Sequence, residues 1–67
     1  METFGKILKE LRKELNISQI ALAKELGVSK SIISLWELDT CEPTLSKLKE
    51  IALFFKVTTD YLCGLED

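Results

Sequence analysis

Three residues, Gly27-Val28-Ser29, are all that separate two short apolar-periodic runs near the middle of this chain, and no other feature constrains the fold as strongly. Gly27 tolerates the left-handed backbone that ends a helix, and Ser29 brings a side-chain oxygen to the free amides that open the next one. Helices joined so tightly must cross steeply. The first of the pair is predicted to start at the cap Ser18 and to turn Leu22, Ala23 and Leu26 inward; the second runs from Ser29 to about Leu38. Ala23 is small because the second helix has to cross there, and Gly27 is expected to meet neighbouring backbone closely as well as to turn left-handed.

The same reading extends along the chain. Phe4, Ile7, Leu8, Leu11 and Leu15 recur at helical spacing and predict a first helix over about 3–15, closed by Asn16. Thr44 is expected to cap a fourth helix that carries Leu45, Leu48, Ile51, Ala52 and Phe55 to about Lys56. Thr58 or Thr59 opens a last short helix through Tyr61 and Leu62, which Gly64 ends. No run alternates with the period of a strand, so the fold class is all-α, a compact five-helix domain over 1–67 with its helix-turn-helix at about 18–38.

Composition narrows the chemistry. At 46% hydrophobic and 30% charged, the 67 residues suit one compact core rather than a disordered tail. Histidine is absent, and Cys41 and Cys63 stand too far apart for a CxxC pair, so no metal or cofactor is expected and the cysteines read as reduced thiols. With no glycine-rich phosphate loop and no inward-facing pair of carboxylates, an enzyme is not expected. The start METFGKILKE enters an amphipathic pattern rather than a leader, and no apolar run reaches the roughly 18 residues of a membrane span, which predicts a cytoplasmic protein.

The stretch SIISLWEL, residues 31–38, carries more apolar groups than one buried stripe absorbs. With Ile32 set at 0° and steps of about 100° per residue, Trp36 and Ile33 form an inward wedge and Lys30, Ser34, Ser31 and Leu35 cover the opposite face. The segment LRKELNISQIALAKELGVSKSIISLWELDTCEPTLSKLKEIALFFKVTTDYLCG resembles the XRE/Cro/CI-type helix-turn-helix family over about residues 5–65. Shared in order and spacing are LR, SQ, LA, LGVS, an Ile three positions before Trp-Glu, a Pro loop and V-x-x-D-x-L.

That resemblance implies a lambda-repressor-like fold and a sequence-specific, repressor-like transcriptional regulator of bacterial or phage origin. It would act in the cytoplasm on nucleoid DNA, its third helix in the major groove of a double-stranded operator. Lys30, Ser31 and Ser34 are the expected base readers, and Leu35 is suited to a thymine methyl. Gln19 matches a position that reaches the DNA backbone, Ser18 joins the first-turn amides of its helix as phosphate donors, and Ser29 and Thr40 are assigned to DNA contact with them. Arg12 and Glu37 are expected to pair, tying the first helix to the end of the third; Gly27, Ile33 and Trp36 are structural. A homodimer on a roughly palindromic site follows because one small module buries too little to be both tight and selective. The last helix, Tyr61-Leu62-Cys63 with Leu65, is its candidate surface, and no small-molecule ligand is implied.

Two departures keep a second reading in view. Members of this family commonly follow Trp-Glu with Asn-Gly and then Lys or Arg, whereas this chain has Leu38-Asp39-Thr40-Cys41-Glu42. Residues 16–44 hold two cations against four anions, the net charge is −2, and positive charge shifts towards residues 1–15. Ile20, Leu35 and Leu38 form a possible apolar patch, so the alternative is a helix-turn-helix scaffold used for protein-protein interaction with weak or no DNA binding.

Overall fold

The computed structural model describes residues 2–66 and contains five helices: α1 (Phe4–Glu14), α2 (Gln19–Leu26), α3 (Lys30–Glu37), α4 (Leu45–Phe55) and α5 (Thr59–Leu62). Each begins at a hydroxyl. Thr3, Ser18, Ser29, Thr44 and Thr58 take extended backbone and accept a hydrogen bond from the amide three residues on, which satisfies one of the amides a helix leaves open at its start. Each helix also ends at a residue of left-handed backbone: Asn16, Gly27, Asp39, Lys56 and Gly64, with φ between 57° and 77°. Beyond each stop, the amides of Ile17, Val28, Thr40, Val57 and Leu65 return to carbonyls of the last turn at 2.9–3.3 Å.

One leucine or isoleucine from each helix closes the centre. Leu8, Leu22, Ile33, Ile51 and Leu62 are fully buried, with Ile7, Ala23, Leu26, Trp36 and Ala52 packed around them. Helix α3 is wedged between α1 and α2, while α4 packs on α2 and α5, and α5 returns to α1. Lys47 of α4 reaches across to donate from Nζ to the Leu26 carbonyl at 2.7 Å, so α4 caps the end of α2 directly.

Two leucines of the apolar periodicity, and one of the expected dimer surface, lie otherwise than expected. Leu15 is 52% exposed because α1 has ended before it; it lies on the exit turn, where helical spacing no longer sets direction. Leu45 is 67% exposed because it is the first residue of α4 and overhangs the core. Leu62 is fully buried, so of the α5 segment only Cys63 and Leu65 present exposed apolar groups. Gly27 has the expected φ of 68°, but a Cβ there would meet only the Lys47 ammonium at 4.0 Å: the glycine is needed for its backbone angle and not for clearance.

Clearance is what Gly5 supplies. A Cβ on Gly5 would lie 2.5 Å from the Trp36 carbonyl oxygen and 2.6 Å from that of Glu37, so α1 packs backbone-close on the end of α3. Phe4 sets its ring edge-on to Trp36 at 6.4 Å beside this contact. Alanine inside a helix ordinarily gains roughly 0.5–1 kcal/mol over glycine. Here the sign reverses: we expect Gly5→Ala to lower stability by about 1–3 kcal/mol in urea unfolding, because backbone oxygens cannot swing aside as a side-chain tip can.

Candidate nucleic-acid interface

The positioning of α3 depends on one carboxylate. Glu37, its last residue, receives Arg12 Nε at 2.7 Å on Oε2 and Arg12 Nη2 at 3.0 Å on Oε1, a two-pronged pair with α1. Gln19 Nε2, at the start of α2, donates to the same Oε1 at 3.0 Å, and Arg12 Nη1 donates to the Ile17 carbonyl at 3.0 Å. The side chains of Arg12 and Glu37 are only 12% and 4% exposed, so this is a largely desolvated pair in which all three helices meet. Burial pushes the Glu37 carboxyl up, but the bonds from Arg12 and Gln19, with the charges of Arg12 and Lys9, outweigh it and hold the group below its ordinary value.

A second carboxylate fixes the exit of α3. Asp39, in left-handed backbone, accepts the Thr3 hydroxyl on Oδ2 at 2.6 Å and the Gly5 amide on Oδ1 at 2.9 Å. These bonds hold its carboxyl below the usual range. The acidic residue that departs from the family pattern is thus spent on the N-terminus of α1, where the helix dipole favours an anion. Sequence alone does not reveal this, since Asp39 and Gly5 are 34 positions apart and the pairing exists only once α1 lies against α3.

With Ile33 and Trp36 locked in the core and Ile32 half-buried at the edge, α3 turns its other face outward. Lys30, Ser31 and Leu35 are exposed and Ser34 is half-buried; among the described residues none of their side chains is engaged in a hydrogen bond or ion pair. Thr40 is exposed just past the end of α3, its amide bonded to the Leu35 carbonyl at 3.0 Å. Ser18 and Ser29 use their oxygens as acceptors from Ala21 and Ile32, which leaves each O–H free to donate outward. Gln19 is partly committed to Glu37, with one N–H of its amide remaining. Nearby, Ile20 and Leu38 are 54% and 71% exposed. A groove of about 550 Å³ lined by Thr3, Phe4, Asp39, Thr40, Cys41, Glu42 and Cys63 includes none of the four outward residues of α3, and both cysteines are free thiols.

This arrangement offers hydroxyl and ammonium donors along α3, with an amide and a further hydroxyl at the start of α2. Comparison with known proteins gives the same architecture. A helix-turn-helix family model matches residues 8–62. The HTH-type transcriptional activator BcrR of Enterococcus faecalis is 41% identical over 64 residues, 96% of this chain and 31% of that protein. The uncharacterized HTH-type transcriptional regulator YobD of Bacillus subtilis (strain 168) is 35% identical over 60 residues, 90% of this chain and 54% of that protein. The chain therefore spans from about a third to about half of the length of these relatives. The crystal structure of the P22 c2 repressor protein in complex with synthetic operator 9T superposes with a TM-score of 0.92 at 33% identity, covering 98% of this chain and all of that one.

The Glu37 network carries its own prediction. Glu37→Gln leaves the Arg12 charge without its partner and should cost about 3–5 kcal/mol in urea unfolding, whereas the joint change Arg12→Met with Glu37→Leu should cost less than the single one. A carboxyl whose pKa is lower folded than unfolded stabilises above its unfolded pKa, and that contribution disappears as pH falls through the folded value. Thermal melts should therefore hold steady near neutrality and drop as pH falls below roughly 4.3, less steeply once Glu37 is gone.

Proposed function

Because this chain belongs to the helix-turn-helix family, we propose that it is a sequence-specific, double-stranded-DNA-binding transcriptional regulator that inserts α3 into the major groove. The observation that carries this reading is the division of α3 itself. Ile33 and Trp36 are buried while Lys30, Ser31, Ser34 and Leu35 face outward with no partner among the described residues, in a fold superposing over nearly its whole length on a repressor bound to operator.

In this reading Lys30 donates to a guanine or a phosphate, and Ser31 and Ser34 exchange hydrogen bonds with base edges. Leu35 lies against a thymine methyl. Ser18, Gln19, Ser29 and Thr40 grip phosphate oxygens without charge, through free O–H and N–H groups, and Gln19 also braces Glu37 so that backbone contact and reading helix move together. Two copies bind a roughly palindromic operator, repressing or activating in the cytoplasm of a bacterial or phage-infected cell. The exposed Leu65 contributes to the surface between them. No helix among the described residues is long and apolar enough to cross a membrane.

A second reading has one observation of its own: Ile20, Leu35 and Leu38 are all exposed in the α2–α3 unit, a set of apolar groups that a protein partner would cover. Selection from random duplexes at low and moderate salt separates the two. The DNA reading expects a motif with two related half-sites, and Lys30→Ala should weaken binding to it by about 1–3 kcal/mol while relaxing preference at one base pair. Recovery of no motif, together with salt-insensitive self-association, would favour the protein-interaction reading. For the dimer, Leu65→Asp should shift sedimentation towards the monomer; an unchanged oligomeric state would remove Leu65 from the interface.

A further inference from the structure

The outer surface of α1 is divided by charge in a way that faces α3. With Ile7 at 0° and about 100° per residue, Phe4, Leu11 and Leu8 fill the buried sector to 100°, followed by Arg12 and Gly5 near 140–160°. Those two are the residues that touch the end of α3, through Glu37 and the Trp36 carbonyl. Lys9, Lys13 and Lys6 come next, at about 200–260°, and Glu10 and Glu14 lie beyond them, at about 300–340°. The lysines therefore border α3 and the glutamates do not. All three lysines are exposed, and among the described residues no carboxylate lies within ion-pair distance of them.

The electrostatics agree with that geometry. The charge of Lys9 acts on Glu37 and that of Lys6 on Asp39, both at the C-terminal end of α3. The Glu10 carboxyl is pushed up by the neighbouring carboxylates, Glu2 first and then Glu14, against a smaller opposing effect of the Lys6 charge. Opposite charges three or four apart on a helix ordinarily pair. Here none of the three lysines closes such a pair, although the Lys6 charge still acts on Glu10.

We propose that Lys6, Lys9 and Lys13 form a phosphate-contacting edge, in which α1 supplies the neutralisation of the DNA backbone that the loop 39–42 lacks. The occupant is the sugar-phosphate backbone of the duplex that α3 reads, on the flank beside Glu37, and the inference rests on the DNA-binding reading above. Charge complementarity argues for it: residues 16–44 carry more anions than cations, whereas this edge is uniformly basic and adjoins the end of the reading helix. Arg12 adds little to it, being spent on Glu37.

The test is the salt dependence of binding by the full chain to the duplex it selects. Replacing Lys6→Gln and Lys9→Gln together should make the slope of log K against log salt shallower by about 0.9 for each phosphate that is no longer neutralised. The control pair Lys49→Gln and Lys56→Asn removes the same charge from α4 and its C-cap and should leave the slope as it was, and Lys6→Arg with Lys9→Arg should retain the wild-type slope. Circular dichroism melts check that each variant is folded, as exposed positions predict. An unchanged slope in the α1 variant, or an equal fall in the α4 control, overturns the phosphate edge and leaves the DNA-binding reading intact. If the wild-type chain selects and binds no duplex at any salt, both fall.

Discussion

Glu37 is the point on which the geometry of this molecule turns. Its two oxygens hold α1 through Arg12 and α2 through Gln19 while its own backbone belongs to α3, so the angle at which the outward face of α3 is offered is set by one desolvated carboxylate. Hydrophobic burial brings the five helices together without specifying such an angle, because it is non-directional. A bidentate guanidinium pair has a direction. The wedge of Ile33 and Trp36 seats α3, and the Arg12–Glu37–Gln19 bonds fix how it is rotated in that seat.

Much of this is legible in the sequence because its cues are local. Ser18, Ser29 and Thr44 stand one residue before apolar-periodic runs, and Asn16, Gly27 and Gly64 stand just after them, so starts and stops can be read within a few positions of the helix they bound. The inward wedge of Ile33 and Trp36 follows from helical angles alone. Leu15 and Leu45 mislead because periodicity says nothing about where a helix runs out, and both sit at an end. Thr3 reads as part of α1 although it is the cap, since a threonine at a helix start fits either role. Gly5 and Asp39 are out of reach for a different reason. Each is ordinary in its own segment, and their meaning emerges only when residues 34 apart meet. A lone glycine within a helical pattern is the one available signal, as such a residue often marks a close packing contact.

The candidate interface has an uneven chemistry. Its centre is nearly uncharged, with hydroxyls, one amide and one ammonium, while fixed positive charge lies to one side on α1. Neutral donors give geometry without long reach, whereas ammonium groups act over roughly a Debye length of about 8–10 Å. In the proposed DNA-binding reading, such a surface separates attraction, by the charged edge, from base selection, by the neutral face. Asp39 fits the same division, since its charge is consumed by the Thr3 hydroxyl and the Gly5 amide rather than left to repel a polyanion.

The five hydroxyl caps and five left-handed stops also bear on how the chain reaches this structure. Every helix carries its own start and stop within a few residues, and the connections between helices are short. Contacts of small sequence separation cost little loop entropy to close, which is why helical domains of this kind fold in microseconds to milliseconds. The longer ties include those made by Glu37 and Asp39, which join α1 and its cap to residues 25 to 36 positions away, and the packing of α5 on α1. Helices of 4 to 11 residues are marginal alone, so the caps bias each segment towards helix and packing, including that of α1 on α3 and α5, completes it. Because Ile7 and Leu8 of α1 share one core with Ile33 and Trp36, displacing α1 would loosen the seat of α3 together with the Glu37 tie, and with it the surface offered to a partner.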